Sequence, residues 1–217
     1  MANVKQQLDI PAIPSLGTSG IVYSQSVQNQ NNGILRLFFT KLVNVIGSLI
    51  GPAGGKYLNN PHGAFQDSTN QTAASTTTAY AVTFNTTDFS NGVTMASGSR
   101  ITVASSGIWN LQFSIQLKNT TNSGQDVDIW FRKNGTNIDN SNSRFHPPAR
   151  KGSGDPSHII AALNFFVEMA ANDYVEIVWR TENTGVSIEH FGTSTSPTRP
   201  AVPSAIVTIS FVSNISV

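Results

Sequence analysis

The chain has 217 residues, no cysteine, 12% charged residues and a formal net charge of +1. Disulfide-stapled modules and cysteine-based zinc or redox sites are excluded, because there is no thiol to oxidise or to bind metal. Binding to nucleic acid is not expected, since phosphate neutralisation needs clustered Lys and Arg. Ser, Thr and Asn supply close to a third of the residues, so solubility rests on hydroxyls and amides.

The N-terminus is polar and carries no apolar signal stretch, so a chain kept in, or released by lysis from, a reducing compartment is expected. Residues 1–32 read as an extended arm. Pro11 and Pro14 break any helix there, and a polar run follows from Gln25 to Asn32. Scattered aliphatics, Leu8, Ile10 and Ile13 among them, suit an arm that orders by docking. Leu8, Ile10, Pro11, Ile13 and Pro14 are therefore the candidate docking residues.

Residues 33–50 predict one amphipathic helix, with Asn32 as N-cap and Gly51-Pro52 as its stop. Leu35, Phe38, Phe39, Leu42, Val45, Ile46 and Leu49 form an a/d seam widened at e. That seam either lies under the following domain or packs on the same helix of other copies. Polar interruptions at Arg36, Thr40, Lys41, Asn44 and Ser48 make a membrane span a poor fit.

Residues 51–62 read as a linker rich in turn residues, and 68–78 as a polar edge strand. From about residue 78 the apolar period becomes two. Strands are expected at 78–84, 93–95, 100–104, 108–118, 127–133, 158–169, 174–180, 186–190 and 204–212. The clearest places Trp109, Leu111, Phe113, Ile115 and Leu117 on one face, with Asn110, Gln112, Ser114 and Gln116 opposite. Turn signals such as Asn91-Gly92, Ser97-Gly98 and Asn134-Gly135 separate the strands. Short strands without interleaved helices predict an all-β antiparallel sandwich.

Gly107-Ile-Trp-Asn-Leu-Gln-Phe113, Val127–Gly135 and Ala170–Val178 resemble successive strands of the tumour-necrosis-factor and complement-globular-head jelly rolls. The likeness spans about residues 63–213, with Asn172-Asp173 where Gly-Asp is usual. Leu35–Phe39, Gly51–Tyr57 and Asn59–Phe65 resemble the leader of jelly-roll virion proteins of tailed bacteriophages. The resemblance implies a jelly-roll knob at 63–217. It further implies a homotrimer on the particle surface, as head decoration, short head fibre or tail-fibre tip. The expected partners are further copies, capsid or tail proteins and, for a fibre tip, a host surface glycan. The expected location is the virion surface, after synthesis in the host cytoplasm.

Signals for chemistry are sparse. Gly51–Tyr57 lacks the phosphate-loop spacing, having Ile50 and Tyr57 where Gly and Ser or Thr are needed. No Gly-x-Ser-x-Gly elbow occurs. His146, Asp155 and His158 would form a metal site only if the loop folded back on itself. Asp126 and Asp128 share a strand face and read as water-facing acids. No cofactor and no enzymatic activity are expected. Arg144, His146, Arg150 and Lys151 form the chain's basic cluster, a candidate contact loop for a neighbouring subunit, the shell or a glycan.

Overall fold

The computed structural model describes residues 11–18, 20, 22–50 and 60–214. The chain divides into two units, Met1–Asn59 and Asn60–Val217. Leu8 and Ile10 lie outside the described residues.

In the first unit, residues 11–18 have no regular structure and α1 runs from Gln25 to Ile50. The helix therefore starts about two turns before the position expected from its apolar period. Ser24 is the cap, its Oγ accepting from Val27 N at 3.4 Å, and Gln28 N donates to Ser24 O at 3.1 Å. The polar stretch 25–32 hides this start because it is polar on every side. Asn32 lies inside the helix, where its Oδ1 accepts from Gln28 Nε2. The neighbouring Asn31 ties down the arm instead: Gly17 N donates to its Oδ1 at 3.0 Å, and its Nδ2 donates to Gly17 O at 2.9 Å. No acid stands in the first turn and no base in the last, so the helix dipole is uncompensated.

The second unit is an antiparallel β-sandwich. Its strands are β1 His62–Asp67, β2 Gln71–Thr72, β3 Tyr80–Ala81, β4 Thr86–Asn91, β5 Val93–Ala96, β6 Arg100–Val103, β7 Gly107–Asn119 and β8 Val127–Lys133. They continue as β9 Thr136–Asn137, β10 Ser143–Phe145, β11 Ser157–Met169, β12 Tyr174–Thr181, β13 Val186–Ile188, β14 Ser194–Thr195, β15 Thr198–Arg199 and β16 Ala205–Ser213. One sheet runs β11-β7-β16-β1-β4, with β13 also on β7 and β2 on β13. The other runs β10-β8-β12-β6-β5, with β3 on β12 and β9 on β8. The pairing is nested: β1 with β16, β6 with β12, β7 with β11 and β8 with β10.

The core follows from the alternation. Trp109, Leu111, Phe113, Ile115 and Leu117 of β7 are buried against Val127, Ile129 and Phe131 of β8 and Val175, Ile177 and Trp179 of β12. Phe131 bridges the sheets, stacked on Phe165 at 4.7 Å between ring centroids and edge-on to Phe113 at 5.9 Å. A buried aromatic of this kind contributes about 2–3 kcal/mol by burial alone.

Two elements escape the sequence pattern. The segment 62–67 is β1, paired on both edges, although it reads as linker and turn. Its inward positions are Gly63, Phe65 and Asp67, which show no apolar alternation. Asp67 is buried but satisfied by Thr69 N at 2.7 Å and by the Thr69 hydroxyl. β4 is exposed along almost its whole length and so carries no buried face to read. Of the polar stretch 68–78, only Gln71–Thr72 is strand.

Two turns are stitched together at one end. Asn134 and Gly135 take φ of 49° and 82°, the left-handed region that an Asn-Gly hairpin turn requires. Asn134 Nδ2 donates to Asp173 Oδ1 at 2.7 Å, and Ala170 N donates to Asp173 Oδ2 at 2.8 Å. These bonds, Asn134 first, hold the Asp173 carboxyl below the usual carboxylate range. The folded state therefore prefers the ionised form. The resulting stability is present above the ordinary carboxylate pKa and fades as pH falls through the lowered one. Asp173→Ala should remove that part of the acid sensitivity, seen as a flatter loss of stability in denaturant melts taken below neutral pH.

Glycine-to-alanine changes should act with opposite sign in the two units. At Gly107 an added Cβ would lie 2.3 Å from the Phe211 ring and 2.7 Å from Ser213 O, so Gly107→Ala should cost about 1–3 kcal/mol. Gly33 has open space inside the helix, so Gly33→Ala should raise helix stability by about 0.5–1 kcal/mol. Thermal melts followed by circular dichroism report both.

Candidate functional site

The outward face of the first sheet is a candidate surface. Register aligns its side chains in rows across the strands. Gln66, Ile206, Ser114 and Ala162 form one row; Ala64, Thr208, Gln112 and Asn164 the next; His62, Ser210, Asn110 and Phe166 a third. Phe89 stands opposite Ala64 on β4, and Ile160 opposite Gln116 on β11. None of these residues is an acid, a lysine or an arginine. Phe89, Ile160 and Phe166 are 60%, 61% and 56% exposed, and Ile206 is 38% exposed.

Between the rows lies a groove of about 280 Å³, lined by His62, Phe89, Asn110, Gln112, Thr208 and Ser210. The His62 and Phe89 rings meet edge-on at 5.8 Å, and Asn60 O fixes His62 Nδ1 at 2.7 Å. Asn110 Oδ1 is buried here with no hydrogen-bond partner among the described residues. An acceptor buried without a donor is costly.

Charges sit at the rim of this face. Glu189 accepts from Lys118 Nζ at 2.5 Å and lies 2.7 Å from His158 Nε2, whose ring meets Phe191 edge-on at 5.3 Å. Glu168 and Asp88 mark other margins, Asp88 accepting from Gln66 Nε2 at 2.6 Å.

The basic cluster is bonded within its own domain. Asp128, only 6% exposed, accepts from Arg144 Nε at 3.0 Å and from Arg180 Nη1 at 3.1 Å. Asp126 accepts from Arg144 Nη1 at 3.3 Å and lies 2.6 Å from His146 Nδ1. The hydrogen bond and charge of Asp128, then the charge of Asp126, raise the Arg144 pKa above its ordinary value. Arg180 Nε also donates to Thr76 O at 3.0 Å. Asp128 is thus a buried acid between two guanidinium groups, where the spacing suggests a water-facing one.

Arg150 Nε donates to Asn122 Oδ1 at 2.7 Å, and Lys151 is held through its backbone N to Asp155 O at 3.0 Å. His146 and His158 bond to different acids, Asp126 and Glu189, so the folded-back metal arrangement is not formed. Among the described residues, no group of three or more His, Cys, Asp or Glu side chains is placed to hold a metal ion.

In the first unit, Ile13 is 92% exposed, while Pro11 and Pro14 are half-buried. Along α1, Leu35, Phe38, Leu42, Val45 and Leu49 are half-buried, while Phe39 and Ile46 are exposed. No helix among the described residues is long and apolar enough to cross a membrane. No protein-family model matches the chain, and comparison with curated proteins finds no relative.

The outward amides and hydroxyls of β7 were readable from alternation. Phe89, Phe166, Ile206 and the rows they complete were not, because register across strands leaves no local signal. The arginine pair on Asp128 carries a stability prediction. Losing both partners leaves a buried carboxylate without its guanidinium donors, so the double change Arg144→Ala, Arg180→Ala should be the more destabilising change. Asp128→Asn, which removes the charge itself, should cost only about 1 kcal/mol. Chemical denaturation separates the two.

Proposed function

We propose that the chain is a structural protein of a tailed-bacteriophage particle, displayed as a homotrimer and attached by its N-terminal arm. The observation that carries this reading is the five-strand face without Lys, Arg, Asp or Glu in its central rows. Its exposed Phe89, Ile160, Phe166 and Ile206 gain by leaving water, and copies meeting there bring no like charges together.

Nested pairing of first strand with last, and so inward, is compatible with a jelly roll. It supports the resemblance of residues 63–213 to the trimeric jelly-roll families.

The test is oligomeric mass and particle binding together. The double change Phe166→Asp, Ile206→Asp places two carboxylates on the face while leaving the core untouched. Light scattering should then report the mass of a single chain in place of three, with the β circular dichroism unchanged. Deleting residues 1–23, before the Ser24 cap, should leave the trimer intact but abolish binding to particles stripped of the protein. A wild-type mass of one chain, or full particle binding without the arm, would overturn the respective half of the reading.

One observation favours a second reading, a fibre tip that binds a host glycan. The groove combines an exposed aromatic ring, planar amides and hydroxyls, which is chemistry suited to a neutral sugar. A glycan array probed with the wild type and with Phe89→Ala separates the two.

A further inference from the structure

A subset of the apolar residues of α1 recurs in alternating steps of three and four, while Leu37 and Val43, 60% and 65% exposed, lie off that stripe. In a heptad, Leu35, Leu42 and Leu49 take position a, and Phe38 and Val45 take d. Phe39 and Ile46 take e, and they are 55% and 43% exposed. The helix contains no acid, and its two bases stay off the seam, Arg36 at b and Lys41 at g. The d position one heptad earlier is Asn31, which is engaged with Gly17, so the seam opens at Leu35.

We propose that α1 forms a parallel, in-register, three-stranded coiled coil with α1 of two further copies. The inference rests on the homotrimer reading and names the partner of a second surface. The occupant follows from residue type. A β-branched residue at a with Leu at d favours two strands, whereas Leu at a with a β-branched residue at d favours three or four. Here every a position is Leu, and Val45 stands at d. Apolar e positions widen the stripe beyond what a two-stranded seam covers.

Direction follows from symmetry. Three copies related by one rotation axis carry their helices along it in the same sense, so the bundle is parallel. Leu35 to Leu49 spans only about 21 Å of helix. A seam so short is marginal by itself, so it closes with the rest of the trimer. One consequence is functional. The residues before Ser24 leave from the same end of the bundle in all three copies, so the docking segments reach the particle as a trivalent set. Trivalency raises avidity without any new contact.

The absence of cysteine makes the test direct. Leu42→Cys, at a, and Thr40→Cys, at f, are made singly in the full chain and treated with a tris-maleimide. Mass is read in parallel by light scattering. Leu42→Cys should give a three-chain band at least about tenfold faster than Thr40→Cys, through proximity alone. A trimeric mass in which both sites link equally, or neither links, overturns the coiled coil and leaves the homotrimer standing. A dimeric or monomeric mass in both variants and in the wild type overturns both. Val45→Cys, at d, repeats the seam test should Leu42→Cys fail to fold.

Discussion

The structure depends on the two-residue period of β7. Thirteen residues long, β7 pairs with β11 along its full length and with β16 and β13 on its other edge. Each inward residue from Trp109 to Leu117 is buried, and each outward one is an amide, a hydroxyl or, at the ends, Ile108 and Lys118. A one-residue slip would drive five large apolar side chains into water and their polar neighbours into the core. Register is therefore fixed here first. The rows of the outer face and the Phe113–Phe131–Phe165 bridge both inherit it.

The scarcity of charge acquires a location once that register is set. Several charged groups of the sandwich pair with one another. Asp126 and Asp128 hold Arg144 and Arg180, Glu189 holds Lys118 and His158, and Glu176 lies 3.7 Å from Arg100. Pairs this exposed on one side contribute little to stability individually. The central rows of the first sheet's outward face carry no Asp, Glu, Lys or Arg, so shape and apolar contact decide what meets it.

The legibility of each element tracks how one-sided its burial is. β7 buries one face and turns amides and hydroxyls outward, and β8 and β12, though buried in part on both faces, still alternate large apolar with polar residues over most of their length, so alternation located all three within a residue or two. β1 escaped because its inward face is Gly63, Phe65 and Asp67, a polar residue satisfied by local hydrogen bonds. β4 escaped because it buries almost nothing, and the first two turns of α1 because Gln25–Asn32 is polar on every side. For the candidate surface, sequence could name the outward residues of a strand but not their neighbours across it. Ile206 meets Ser114 only through pairing between residues 92 positions apart (206 minus 114). The basic cluster was visible as composition; the engagement of Arg144 and His146 by Asp126 and Asp128 is a tertiary fact.

The two proposed self-contacts differ in kind, and the difference matters for assembly. The sheet face is pre-formed by a rigid sandwich, so its association orders few side chains and no backbone. The helical seam is short, lacks dipole compensation and carries glycines at 33 and 47, so it adds little when alone. Linked through the same chain, the first contact raises the effective concentration of the second. Strengthening the seam should thus change how the arms are presented more than it changes whether the knobs associate. Weakening the face should abolish both, since nothing would then hold three marginal helices together.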